Sequence, residues 1–446
     1  MSPRAPTSTP GLLAIVADDW SPIAGCYGHP QIHTPHIDAL AAQGTVFRNA
    51  FCTTPSCAAS RANLLTGLYS HTHGQYGHCH GPHGFRTHEH VESLPAVLRR
   101  AGVFSGLIGK HHVAPAHVYP FDASDESDPW RHAPLLEAAA RFLRQAAGMP
   151  FFLQVASYYP HRVGAGFDPA IGGPEMLRDD VAYDPHTLKL PASLPDTPET
   201  RVDFADYCRF ITRFDRLVGG VLAVLQESGR TEDTLVLVLT DHGMPFPGAK
   251  GSWTDAGHRC PLIARHPEQG RAAHCDALLS WSQFAPTCYD WFGAKAEHAL
   301  PERSVLALLE NPTAQGNGRV YFSHCFHEVT NYQPYRAVRT RRFKYVRDLA
   351  WQLPFEGVMP SDLFDSATWR SARGLGATHA RSDALASLSR RGPEAFYDLD
   401  EDPCETNNRV GDPAYAEPLQ ALKARLRAFR ERTGDPWLQW DHQTGA

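Results

Sequence analysis

The stretch Leu12-Leu13-Ala14-Ile15-Val16-Ala17-Asp18-Asp19 determines how the chain folds. Its apolar part is short and continuous, which is typical of a strand that is buried on both faces of a parallel sheet. The apolar run ends abruptly at Asp18 and Asp19, so two carboxylates are expected at the carboxyl end of the strand. We therefore expect this end of the strand to reach a cleft.

A second stretch far along the chain repeats this pattern. Residues 234–239 form another apolar run, and Thr240-Asp241-His242-Gly243 follows it. In open α/β sheets, ligands bind beyond the carboxyl ends of the strands. The two runs therefore predict that Asp18, Asp19 and Asp241 share one site.

The rest of the chain predicts an α/β fold, in which a large, mostly parallel sheet is flanked by helices. Helical periodicity covers residues 37–43, 94–101, 134–147 and 201–228, and further apolar strands are predicted at 105–108 and 151–156. The Gly- and Pro-rich connection 164–198 is too long for a plain turn, so we expect it to rim the cleft.

After about residue 320 the pattern changes to alternating segments at 319–323, 336–340 and 343–348, which predict a small antiparallel sheet. Residues 414–432 carry apolar side chains at helical spacing, so an amphipathic helix is expected to pack on that sheet. We therefore predict two domains, a catalytic α/β domain at 1–318 and a C-terminal α+β subdomain at 319–446 that completes the substrate cleft.

Composition excludes several functions. The 446 residues are 42% hydrophobic and 20% charged with a net charge of −6, so there is no electrostatic basis for nucleic-acid binding. No stretch is long enough for a membrane span, and residues 1–10 lack the order of a secretory signal. We expect a soluble, cytoplasmic protein whose ten cysteines are mostly free thiols.

Histidine is unusually frequent, with 25 residues in the chain. Many of them lie between His71 and His90, where two interpretations are open. The tract could bind a metal ion, or it could be a polar loop. We favour the loop, because the histidines do not repeat with a fixed ligand spacing.

The string Ser56-Cys57-Ala58-Ala59-Ser60-Arg61 is the most informative local motif. Ser56 is a plausible helix cap, which places Cys57 in the first turn, where free N–H groups and the helix dipole favour an anion. Arg61 lies four residues on and so on the same helix face. An isolated cysteine is more often a buried packing residue, but this string favours a site for a tetrahedral oxyanion.

This string, together with Leu64-Leu65-Thr66-Gly67, resembles the signature of the sulfatase family in the alkaline phosphatase superfamily. The resemblance extends along nearly the whole chain and is strongest toward the N-sulfoglucosamine sulfohydrolases, which implies an alkaline-phosphatase-like fold and hydrolysis of a heparan-type saccharide. The segments that carry it besides 56–67 are 17–19, 108–113, 119–122, 160–162, 240–247, 326–330 and 396–399.

The resemblance implies that Cys57 is oxidised to formylglycine, whose hydrate attacks sulfur. It implies that cationic and imidazole side chains surround the sulfate and the scissile bond, with His161 as the first candidate to protonate the leaving atom and His112 as the second. The catalytic set that it implies is Cys57, Arg61, Lys110, His112, His161 and Lys250. In the smaller domain it implies that His327, Glu328 and Arg336 contact the sugar.

The resemblance also implies that Asp18, Asp19, Asp241 and His242 bind a divalent metal. Calcium is expected, but His242 stands where many sulfatases have asparagine. Because a histidine nitrogen is a softer ligand than an amide oxygen, manganese becomes an alternative. Ala59 replaces the proline that the aerobic converting enzyme recognises best, so we expect a different formylglycine-generating maturase as a partner.

Three other functions remain open. An arylsulfatase or a carbohydrate O-sulfatase acting on a small sulfate ester would use the same residues, and His242 slightly favours a phosphonate or phosphate ester hydrolase. A non-catalytic binding protein on the same scaffold is the third alternative. Homodimer formation is implied by the resemblance alone.

Overall fold

The computed structural model describes residues 9–374, 385 and 391–444. Residues 1–8, which carry most of the prediction that no secretory signal is present, lie outside this part of the chain. Within the part that is described, no helix combines the length and the apolar character that a membrane span requires.

The main sheet has nine strands, and their order is β4-β3-β5-β1-β6-β7-β2-β8, with β9 beside β2. Strand β7 runs antiparallel to β6 and β2, whereas the other pairs are parallel. The predicted mostly parallel sheet is thus confirmed. Its strands are β1 Gly11–Ala17, β2 Thr45–Phe51, β3 Phe104–Gly109, β4 Ala123–Asp125, β5 Phe151–Ala156, β6 Thr234–Thr240, β7 Arg259–Arg265, β8 Ala273–Cys275 and β9 Leu279–Ser280.

Helices cover both faces of this sheet, as the unbroken apolar sequence of β1 predicts. The side chains of Leu13 and Ile15 belong to one apolar cluster and those of Leu12 and Val16 to another. The α-helices in the described residues are α1 Pro35–Ala41, α2 Cys57–Thr66, α3 Ser70–His73, α4 Leu94–Arg100, α5 His132–Gln145, α6 Pro174–Leu177, α7 Pro198–Glu227, α8 Asp255–His258, α9 Phe284–Phe292, α10 Leu306–Glu310, α11 Phe355–Val358, α12 Ser361–Phe364, α13 Ala367–Gly374 and α14 Ala416–Arg432.

A separate antiparallel sheet follows, in the order β10-β11-β12-β13. Helix α14 packs on one face of it, where Phe429 stacks on Tyr321 with ring centroids 4.0 Å apart. The other face packs on the main sheet, where Phe322 contacts Phe51. The strands are β10 Arg319–Phe326, β11 Tyr332–Thr340, β12 Phe343–Asp348 and β13 Glu394–Asp398. The predicted small sheet with its packed helix is confirmed, and the domain boundary at residue 318 stays a prediction.

The elements that pattern reading missed are those without a clear period. Strands β2 and β7 contain charged residues at exposed or half-exposed ends, and β8 and β9 are only two or three residues long. Such short runs give too few positions for alternation to be seen. The long connection 164–198 contains the short helix α6, and only Gly164 and Ala165 of it line the cleft described below.

Candidate active site

Helix α2 begins at Cys57, as the motif predicts, and the cysteine is only 1% exposed. Ser56 occupies the cap position, but its side chain makes no capping hydrogen bond. Its hydroxyl lies 3.0 Å from Nδ1 of His327 in the second sheet instead. The predicted role of Ser56 as a side-chain cap is therefore wrong, because a tertiary partner takes its hydroxyl.

The carboxyl ends of β1 and β6 bring the three predicted aspartates to this helix start, and all three are fully buried. Asp19 has a φ of 62°, a left-handed conformation that is uncommon for a residue other than glycine. Its Oδ1 lies 3.0 Å from Nε2 of His242, which in turn lies 3.3 Å from Sγ of Cys57. Side chains from three separate elements therefore meet at one point.

Three buried cations balance the three carboxylates. Arg61 Nη2 lies 2.9 Å from Oδ1 of Asp18 and 3.2 Å from Oδ2 of Asp241. Lys110 Nζ is 2.5 Å from Asp18, and Lys250 Nζ is 2.9 Å from Asp19. Burying a charge is costly unless it is paired. The local charge balance therefore makes this dense buried cluster tolerable.

The pKa values in the cluster follow from burial and from these pairs. Burial alone raises the pKa of Asp18, but Lys110 and Arg61 outweigh it and hold that pKa far below its usual range. Burial raises the pKa of Asp241 to about 6, and the neighbouring Asp18 adds to the effect. Burial also raises the pKa of the Cys57 thiol, against the influence of Lys110 and Lys250. An unmodified Cys57 is therefore a neutral thiol and a weak nucleophile at neutral pH.

The cluster fits a divalent metal ion. One ligand atom from each of Asp19, Cys57, Asp241 and His242 can be chosen so that all four lie within 4.8 Å of one another. Oδ2 of Asp241 is buried and accepts no hydrogen bond within the described residues. Carboxylate oxygens suit calcium and manganese, and the imidazole nitrogen suits manganese better. Asp18 groups instead with Asp19 and His161.

A cavity of about 940 Å³ opens above Cys57. Lys110, His161 and Lys250 line it from the main domain. Nδ1 of His161 lies 2.5 Å from Oδ2 of Asp19 and 3.4 Å from Nζ of Lys250. His161 thus stands between the buried carboxylates and the open cavity, where an imidazole can exchange a proton with a bound molecule.

His112 also lines the cavity, but it faces other histidines. Its Nε2 lies 2.9 Å from Nδ1 of His80, and its φ of 50° is left-handed. Burial and the nearby Lys110 hold the pKa of His112 well below its usual value. A neutral imidazole is a poor proton donor, so the geometry supports His161 ahead of His112 for that role.

The smaller domain contributes His327 and Glu328 to the same cavity. Glu328 accepts hydrogen bonds from the hydroxyl and the N–H of Ser361. Arg336 is not brought there. It is fully buried in β11, and its Nε and Nη2 each donate to Asp435 at 3.0 Å. The predicted sugar contact of Arg336 is therefore corrected, since its guanidinium is already engaged in a structural ion pair.

Two cavity residues were missed by sequence reasoning. Asp362 on the short helix α12 accepts a hydrogen bond from Nζ of Lys250 at 2.8 Å. Tyr158 lies under Lys110, with the ammonium 4.9 Å from the ring centroid. Nothing in the local sequence distinguishes Asp362 from an ordinary aspartate in a helical turn, whereas Tyr158 follows β5 directly and its position at a strand end is a usable signal.

Comparisons with known proteins agree with this geometry. The sulfatase family model matches residues 10–294. The chain is 35% identical to N-sulphoglucosamine sulphohydrolase of Homo sapiens, over 96% of this chain and 91% of that protein. The fold is also similar to the phosphonate monoester hydrolase of Agrobacterium radiobacter, with a TM-score of 0.69 at 19% identity, covering 95% of this chain and 96% of that one. BT4656, solved in complex with its substrate D-glucosamine-2-N,6-O-disulfate, gives a TM-score of 0.68 at 19% identity over 96% and 99% of the two chains.

The fold and the buried cluster define a hydrolase of the alkaline phosphatase type. The chain belongs to the sulfatase family, and it is an enzyme with sulfatase activity.

Proposed function

We propose that this sulfatase releases sulfate from N-sulfated glucosamine in a heparan-type saccharide. The observation that carries the proposal is that His327 and Glu328 line the same cavity as Cys57, although they belong to a different sheet. The 35% identity to the human N-sulphoglucosamine sulphohydrolase spans both sheets and supports the same substrate. The cavity is large enough for a sugar residue.

The reaction requires the negative sulfate oxygens to be neutralised before a nucleophile can approach sulfur. Lys110 and Lys250 line the cavity, and Arg61 lies buried behind them beside Asp18 and Asp241. We propose that the two lysines bind the sulfate oxygens, while Arg61 keeps the carboxylates in place. Net hydrolysis of the sulfamate consumes one water and yields an amine and sulfate.

The two groups that the chain would need are an oxidised Cys57 and a divalent metal. Asp18, Asp19, Asp241 and His242 would hold the metal, calcium or manganese, which supplies a positive charge that stabilises an ionised hydroxyl. Formylglycine at position 57, made by a maturase, supplies that hydroxyl in its hydrated form. Since the thiol of Cys57 is held neutral by burial, the unmodified side chain offers no comparable nucleophile.

His161 is proposed to protonate the departing amine. An amine is a poor leaving group without a proton, so a donor is needed beside the scissile bond. The bond from His161 Nδ1 to Asp19 fixes the ring and stabilises its protonated form. His161 therefore combines orientation with access to the cavity.

The test is a substrate panel. We expect kcat/KM for N-sulfoglucosamine to exceed that for glucosamine 6-sulfate, 4-nitrophenyl sulfate and a phosphonate monoester. A Cys57→Ala protein serves as the control for contaminating sulfatases. A preference for the aryl or O-sulfate would keep the sulfatase chemistry and overturn the substrate.

A phosphonate or phosphate ester hydrolase is the second candidate. His242 favours it, because a nitrogen ligand shifts the metal preference away from calcium. The similarity to the phosphonate monoester hydrolase is one of fold alone. The phosphonate ester in the panel tests this candidate directly, and turnover of that ester above N-sulfoglucosamine would establish it.

A further inference from the structure

Three histidines come together at the rim of the cavity, apart from the carboxylate cluster. His78 and His80 lie in the connection between α3 and α4, and His112 follows β3. One ring nitrogen from each can be chosen so that all three lie within 4.8 Å of one another. The fold therefore assembles a three-imidazole group from two distant parts of the chain.

We propose that His78, His80 and His112 form a second metal site, specific for a transition metal ion such as Zn²⁺ or Cu²⁺. Imidazole nitrogens are ligands for these ions, whereas calcium and magnesium require oxygen ligands. No carboxylate belongs to this group of three. The two sites therefore differ in chemistry, with oxygen-rich ligands beside Cys57 and nitrogen ligands at the rim.

The hydrogen bonds of the rings also leave room for a cation. His80 and His112 face each other through nitrogens 2.9 Å apart, and His78 faces His327 at 3.1 Å. Nδ1 of His78 and Nδ1 of His112 are inaccessible to solvent and have no hydrogen-bond partner among the described residues. Ring nitrogens thus outnumber the partners that their neighbours provide, which is unusual for buried polar atoms.

The backbone supports the same arrangement. His112 has a φ of 50°, which costs energy for a residue other than glycine. This conformation lies directly after Lys110, whose ammonium pairs with Asp18, and it accompanies a ring that faces His80. Strain of this kind persists mainly at functional positions.

The open side of the site faces the cavity, because all three histidines line it. Three protein ligands around a metal ion leave a coordination position free. An ion bound here would occupy the path to Cys57 and would take His112 out of any proton transfer. We therefore expect micromolar Zn²⁺ to inhibit turnover, without displacing the ion at the carboxylate cluster.

The test uses untagged full-length protein saturated with Ca²⁺, to which one equivalent of Cu²⁺ is added. Electron paramagnetic resonance counts the nitrogens that bind Cu²⁺. We expect three nitrogens in the unmodified protein. His80→Asn should remove one nitrogen and weaken Cu²⁺ binding about tenfold or more.

His83→Asn is the matched control. His83 lies in the same connection with its ring centroid 5.5 Å from that of His80, but its Nδ1 already accepts the N–H of Val329. This variant should keep all three nitrogens. A single-nitrogen signal that survives His80→Asn but disappears in His242→Asn would place Cu²⁺ at the carboxylate cluster and overturn the proposal. Equal losses in His80→Asn and His83→Asn would also overturn it.

Inhibition gives an independent readout. Relative to its own metal-free rate, His80→Asn should need about tenfold more Zn²⁺ for half-inhibition than the unmodified protein. Cu²⁺ binding is measured without any substrate, so its outcome does not depend on the proposed N-sulfoglucosamine activity.

Discussion

The Sγ atom of Cys57 lies 3.3 Å from Nε2 of His242, so the residue that carries the reaction and the unusual metal ligand are in direct contact. Burial lowers the pKa of His242, but Asp241 and Asp19 raise it well above its usual value. Without a metal, His242 is therefore a cation that holds the carboxylates together. With a metal bound, the same nitrogen becomes a ligand.

His242→Asn is expected to shift metal preference toward calcium, because an amide oxygen replaces an imidazole nitrogen. Calorimetric titration should show the Ca²⁺ to Mn²⁺ ratio of dissociation constants falling by about tenfold or more. Asp241→Asn is the control and should weaken both ions. An unchanged ratio in His242→Asn would show that this side chain does not bind the metal.

His161→Asn should lower kcat/KM for N-sulfoglucosamine by about 10²–10⁴-fold, the range for loss of a general acid. The loss should be far smaller for 4-nitrophenyl sulfate, because nitrophenolate departs without a proton. His112→Asn should affect the two substrates alike and only weakly. Equal large losses on both substrates in His161→Asn would argue against proton donation.

Glu328→Gln should raise KM for N-sulfoglucosamine by about tenfold and leave kcat little changed, since one charged hydrogen bond to a sugar is weakened. KM for 4-nitrophenyl sulfate should stay the same. Glu126→Gln, at another part of the cavity wall, is the control and should leave both values unchanged. If Glu328→Gln changes neither KM, the second sheet does not read the sugar.

Arg336→Met should lower the free energy of unfolding by about 3 kcal/mol, near the lower limit for breaking a buried ion pair. Arg430 still pairs with Asp435 at 2.7 Å and limits the loss. Chemical denaturation measures the effect, and KM should not change. A stable Arg336→Met protein with a raised KM would restore the substrate contact that the structure removes.

Sequence alone predicts the parts of this site that are local in the chain. The strand ends at Asp19 and Asp241 are readable because each follows an apolar run, and Cys57 is readable because its helix motif is continuous. Parallel strands then meet at one edge of the sheet, so the convergence of the aspartates could be predicted.

The remaining features depend on contacts between distant segments. His80 and His112 are 32 residues apart, and Arg336 and Asp435 are 99 apart. No periodicity links such pairs, so the histidine tract looked like a polar loop and Arg336 like a free sugar-binding side chain. Asp362 was missed for the same reason, because only the fold brings it to Lys250.

The central claim is that turnover depends on conversion of Cys57 to formylglycine, and one measurement tests it most directly. Preparations with different fractions of formylglycine at position 57, each quantified by mass spectrometry, are assayed for sulfate release from N-sulfoglucosamine. The account predicts a rate proportional to that fraction, with zero rate for wholly unmodified protein and for Cys57→Ser. Sustained turnover by either of these two proteins would contradict it.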